Sequence, residues 1–175
     1  MLDDMKKNHL NKFDMTGKTA LITGAAGLLG IEHAAALLEC GASVVLTDIY
    51  YEGLIKVRDV LLDGENPTRI ICKVMDVSKL DSIQSVSKEL MSTNIRIDIL
   101  VNNAAIDPKV KDGESILETS RLEFFPLEQW ELQIGVGLTG AFLCSQVFGT
   151  AMAKDNKGGV ILNISSDLSV FSPDQ

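Results

Sequence analysis

The chain has little of what would staple a protein, bind a metal or anchor it in a bilayer. Its three cysteines, Cys40, Cys72 and Cys144, are odd in number and scattered. They supply neither the even framework of a disulfide-stapled domain nor the close pairs of a zinc site, so reduced thiols packed as small hydrophobes in a cytosol are expected. The two histidines, His9 and His33, lie too far apart to suggest metal ligands. Positive charge is also in deficit: 16 Lys and Arg face 24 Asp and Glu, for a net charge of −8. Nucleic-acid binders usually carry a basic patch or stripe, so no nucleic-acid partner is expected. No unbroken run of eighteen apolar residues occurs, because Glu39 and Asp48 interrupt the most hydrophobic stretch. Residues 1–16 mix both charge signs without an apolar segment, so they read as a surface extension, and neither a membrane span nor a secretory signal is expected.

What is present is enough to build one globular domain. The 175 residues are 46% hydrophobic and 23% charged, an ordinary balance for a soluble fold with a real core. Short β-rich runs alternate with segments of helical period, the pattern of a parallel α/β sheet. Strands are expected at 18–23, 43–47, 69–75, 97–101 and 159–164. Between the first two, Ile31, Ala34, Ala35 and Leu38 recur on one face of a helix that Gly41 ends. A second helix is expected at 52–62. Ser78 and Asp81 resemble a capping box opening a third, in which Leu80, Ile83, Val86 and Leu90 share a face. Residues 106–126 form a polar stretch too long for a neutral connector and are a candidate substrate lid. A long apolar helix follows from about Leu127 to Ala153, whose glycines imply close packing or a bend. The domain is read as 17–175, with 1–16 as the extension.

The chemistry sits at strand ends. Gly24, Gly27 and Gly30 lie between the first strand and its helix. Without Cβ atoms the backbone turns tightly and a pyrophosphate can approach the helix N-terminus, where N–H groups and the dipole attract anions. Such glycines also permit a tight turn without any ligand. Asp48 follows Gly24 by 24 residues at the end of the second strand; a carboxylate there accepts hydrogen bonds from the adenine ribose hydroxyls of NAD and repels a 2′-phosphate. With no Lys or Arg after Asp48 until Lys56, NAD is favoured over NADP. Taken alone, Asp48 would be a solvated strand-end aspartate.

Together these motifs resemble the short-chain dehydrogenase/reductase family, over a span from Lys18 to the terminus. That resemblance implies a Rossmann-like doubly wound α/β parallel sheet and assigns Gly24, Ala26, Gly27, Leu28, Leu29 and Gly30 to the cofactor turn. Asp48 and Ile49 would meet the ribose and adenine, as would Asp76 and Val77 of Met75-Asp76-Val77. Asn102-Asn103-Ala104-Ala105 is similar to the family's Asn-Asn-Ala-Gly, placing Asn103, Ala104 and Ala105 along the cofactor. Asn163-Ile164-Ser165-Ser166 resembles the end of strand five, where Ser166 would hold the substrate carbonyl as the catalytic serine.

The departures from the family are specific. The glycine spacing is more typical of the family's extended branch, which includes nucleotide-sugar epimerases, and there is a weaker likeness to surface-polysaccharide and flagellin modification enzymes. Gly137 stands where the common branch places a proton-relay asparagine. The Tyr-x-x-x-Lys pair is not found: the only tyrosines are Tyr50 and Tyr51, beside Asp48. The reading is therefore a family member with about five of the usual seven strands, truncated before its catalytic tyrosine, whose fifth strand would be an apolar edge. The expected activity is interconversion of a small secondary alcohol and a ketone, in a cytoplasmic protein whose full-length form is a homo-oligomer. A non-catalytic dinucleotide-binding module and a nucleotide-sugar-modifying enzyme are the alternatives.

Overall fold

A computed structural model describes residues 11–62, 66–106 and 122–166. Five strands, β1 (Thr19–Thr23), β2 (Ser43–Asp48), β3 (Ile70–Val74), β4 (Ile99–Asn102) and β5 (Val160–Asn163), form one sheet. Its order is β3-β2-β1-β4-β5 with every pair parallel. Chain order reverses between β1 and β4, which makes that crevice the topological switch point. The helices are α1 (Leu28–Glu39), α2 (Tyr51–Leu61), α3 (Leu80–Ser92) and α4 (Leu127–Lys154).

Alternation along the strands builds two cores. Leu21, Val45 and Leu100 enter one with Ile83, Val86 and Leu90 of α3 and Cys144, Phe148 and Met152 of α4. Ile22, Val44, Leu46 and Val101 enter the other with Ala34 and Leu38 of α1 and Leu54 and Val57 of α2. The sheet is thus covered on both faces, which explains why its inner strands read as continuous apolar runs. At the edge, Val160, Ile161 and Leu162 of β5 are exposed.

Two local expectations change. Ser78 does not cap α3: Lys79 is the N-cap residue, with no side-chain bond. Ser78 instead turns back, its N–H and hydroxyl donating to Asp76 Oδ1 at 3.0 and 2.6 Å, a local alternative open to any short polar side chain. The glycines of α4 also divide. A Cβ on Gly140 would come within 2.8 Å of Val77, and one on Gly149 within 3.0 Å of Ile161, whereas Gly135 and Gly137 face open space. By length and composition α4 could cross a bilayer, although no apolar run in it is unbroken. One stripe of it packs on the sheet, while Trp130, Leu138 and Phe142 are exposed.

Burial sets the cost of truncating this core. Leu100 is fully buried, so Leu100→Ala should lower unfolding free energy by about 2–5 kcal/mol in urea titration. The exposed Val60, changed to alanine, should move it by less than about 0.5 kcal/mol.

Candidate functional site

Residues at the carboxyl ends of β1, β2 and β4 converge on the switch point. Gly24 has φ +63°, and a Cβ there would sit 2.8 Å from Ala104 Cα. A Cβ on Gly30 would meet Ala25 Cα and Gly24 O at 2.6 Å. Both positions therefore require glycine, one for its dihedral and contact, the other for close helix-to-turn packing. Gly27 N-caps α1 without a side-chain hydrogen bond, and Leu28 and Leu29 behind it are exposed. An α-helix leaves its first N–H groups without intrahelical partners, so the start of α1 fits a pyrophosphate on the physics of helix termini.

Thr23 joins this turn to β4. Its buried hydroxyl donates to Val101 O at 3.4 Å and accepts from Asn103 N and Ala104 N, both at 3.0 Å. The Asn103 amide returns to β1, donating to Thr23 O at 2.9 Å and Gly24 O at 3.2 Å. Thr23 was not among the expected site residues, yet a hydroxyl closing an otherwise apolar strand was a readable signal.

Asp48 lies at the other flank. Its Oδ2 accepts from Ala26 N and its Oδ1 from Tyr50 N, each at 3.2 Å. The carboxylate is thereby fixed beside the glycine turn, with Ile49 exposed next to it. Asp76 follows β3, its Oδ2 paired with Lys79 Nζ at 2.7 Å and its N–H donating to Ser82 Oγ at 2.9 Å. Burial, the largest single influence on the Asp76 carboxyl, raises its pKa, but hydrogen bonds from Lys79 and Ser78 and the Lys79 charge together hold it below the usual range. Val77 turns its side chain into the core under Gly140.

Near β4 and β5, Asn102 Nδ2 donates to Asn163 Oδ1 at 2.8 Å and Ser145 Oγ at 3.1 Å, tying both strand ends to α4. Ala105 is exposed after β4, and Ser165 and Ser166 follow β5 on the surface. Gly137 occupies an exposed turn of α4 with free space about it. Tyr50 and Tyr51 sit at the β2 end with Asp48, on the opposite flank from Ser166. The structure thus gathers Gly24, Ala26, Gly27, Gly30, Asp48, Asn103 and Ala104 around one crevice, with Asp76 beyond β2. Most of the candidate lid, 107–121, lies outside the described residues.

Residues 18–174 match the family described as short chain dehydrogenase. An NAD-dependent glycerol dehydrogenase of Listeria innocua is 35% identical over 163 residues, 93% of this chain and 58% of that protein. A short-chain type dehydrogenase/reductase from Mycobacterium marinum superposes with a TM-score of 0.80 at 28% identity, over 95% of this chain and 62% of that one. A gluconate 5-dehydrogenase from Burkholderia cenocepacia, solved with NADP and tartrate, gives 0.74 at 27% identity, over 88% and 56%.

Two measurements probe the site's supports. Thr23→Val keeps the shape but leaves Asn103 N and Ala104 N without their acceptor, so calorimetric or urea unfolding should show a loss of about 1–3 kcal/mol. Lys79 is largely exposed, so at neutral pH Asp76→Asn should cost at most about 1 kcal/mol. The folded pKa of Asp76 is depressed, so its contribution is present above the unfolded value of about 3.9 and is lost as pH falls through the folded value. Urea midpoints of the wild type and Asp76→Asn should therefore converge below about pH 4.

Proposed function

The chain belongs to the short-chain dehydrogenase family, and from that membership we propose an NAD(H)-dependent oxidoreductase that interconverts a small secondary alcohol and a ketone. The observation carrying the cofactor choice is Asp48, whose carboxylate is bonded to the backbone of the glycine turn itself. A negative group fixed there favours ribose hydroxyls and disfavours a 2′-phosphate. The NAD dependence named for the Listeria relative supports this reading, while the NADP in the Burkholderia structure makes it worth testing.

In this reading the chain's residues divide the work along the crevice. The glycine turn and the start of α1, from Gly24 to Gly30, hold the pyrophosphate through backbone N–H groups. Asp48 and Ile49 hold the adenine ribose, Asp76 and the backbone of Val77 flank the adenine, and Asn103 to Ala105 line the path toward the nicotinamide. When bound, the nicotinamide ring supplies or accepts the hydride. Ser166 orients the substrate oxygen by a hydrogen bond. The proton donor must lie within hydrogen-bond reach of that oxygen; Tyr50 and Tyr51, at the end of the crevice beside Asp48, are not suited to it. Because the chain spans 58% of the glycerol dehydrogenase's length, turnover belongs to the proposal. A cytoplasmic location and a second copy packed on the exposed apolar side of α4 complete it. Neither the non-catalytic module nor the nucleotide-sugar enzyme gains support from the dehydrogenase names of the relatives.

Isothermal titration of NADH and NADPH into the protein tests the cofactor claim. NADH should bind and NADPH should bind more weakly. Asp48→Asn should weaken NADH roughly tenfold or more, the scale of losing a charged hydrogen-bond partner. Tighter binding of NADPH than NADH by the wild type would defeat the assignment.

A further inference from the structure

We propose that Gly53 is a positioning residue for dinucleotide selectivity, letting the first turn of α2 close against the glycine turn so that the Asp48 carboxylate is clamped. The inference rests on the NAD reading above. A Cβ on Gly53 would lie 2.9 Å from Ala26 Cβ and 3.7 Å from Tyr50 Cβ. These are the two residues whose backbone N–H groups hold Asp48, Ala26 on Oδ2 and Tyr50 on Oδ1. The one missing methyl group thus sits between both supports of the selectivity carboxylate.

Glycine inside a helix is destabilising relative to alanine, so Gly53 carries a cost that the contact with Ala26 accounts for. The helix cannot readily swing out to relieve an added methyl group. The next residue, Leu54, is fully buried, and its N–H donates to Tyr50 O at 3.2 Å. Nor can the turn retreat freely, since Ala25 N donates to Thr47 O at 3.0 Å and Gly30 leaves no room for even a Cβ beside Ala25. The contrast with Gly135 and Gly137, which have nothing within 4 Å, shows that a helical glycine in this chain need not be sterically required. With a side chain at position 53, Ala26 must shift, while Tyr50 stays at ordinary contact distance. Asp48 then loses a hydrogen bond, and its carboxylate is no longer fixed where ribose hydroxyls meet it and a 2′-phosphate is refused.

The test is a double-mutant cycle read by NADH and NADPH binding, with fluorescence titration of the wild type, Gly53→Ala, Ala26→Gly and the double variant. Gly53→Ala should weaken NADH roughly tenfold, as expected for an overpacked contact, and narrow the preference for NADH over NADPH. Ala26→Gly placed in the Gly53→Ala background removes the colliding methyl group and should recover most of the loss. Wild-type affinity and preference in Gly53→Ala, a loss that leaves the preference unchanged, or a double variant no better than the single one would each overturn the proposal. If Gly53→Ala does not fold, the double variant is compared with Ala26→Gly: equal preference supports the clamp, and a further loss of preference overturns it. A wild type that binds neither dinucleotide defeats the cofactor reading itself, and the inference with it, and that arm keeps the two failures apart.

Discussion

The hydroxyl of Thr23 is the constraint on which the site depends. β1 is the central strand, the glycine turn follows it directly, and Asp48 and Asn103 stand at the ends of its two neighbours. A sheet fixes strand spacing and register, but it does not fix where the chain goes after the last ladder bond. Thr23 extends the register by one step beyond β4, because its oxygen serves Val101, Asn103 and Ala104 together. Its register partner Thr47 does the equivalent on the other side, donating to Ile22 O at 2.9 Å. Both threonines are buried, where an unmet hydroxyl or amide is costly. That cost locks the ends of β2 and β4 to the glycine turn, placing Asp48 and Asn103 on either side of it.

The parallel α/β alternation and the boundaries of most elements were legible because the signals were local and redundant, whereas the doubly wound sheet covered on both faces followed from the family resemblance. Apolar runs of strand length, Gly41 after a helical stripe and glycines after β1 all pointed the same way. Asp48 was singled out by its spacing from the glycine turn, and the structure bonds it to that turn through Ala26 N. The capping-box reading failed because Asp76, two residues before Ser78, offered a closer acceptor, and a short hydroxyl side chain takes the nearest one. Val77 fits the family's motif, yet its side chain is committed to the core by Gly140, a contact 63 positions along the chain that no local pattern encodes. Gly53 was illegible for the same reason: its significance is a distance to Ala26, not a property of its own segment.

The period of α4 shows how a sequence pattern and a backbone can disagree and still meet. One line of residues facing the sheet recurs every four positions, as Val136, Gly140, Cys144, Phe148 and Met152, with Leu143 and Val147 packed beside it. A regular α-helix has 3.6 residues per turn, so a stripe of period four drifts by roughly 40° at each step and would leave the sheet within two or three turns. The helix absorbs that drift with two wider turns of π type, Gly135–Thr139 and Ser145–Gly149, each slowing the rotation of the chain. The first is where Gly135 and Gly137 lie without close neighbours, so packing does not require glycine at either position. The second ends at Gly149, where Ile161 of β5 closes in. The whole stripe therefore stays on the sheet, and Ser145 is carried to Asn102 at the end of β4, which itself donates to Asn163 of β5. A polar tie between α4 and the crevice follows from how the helix accommodates its own apolar period.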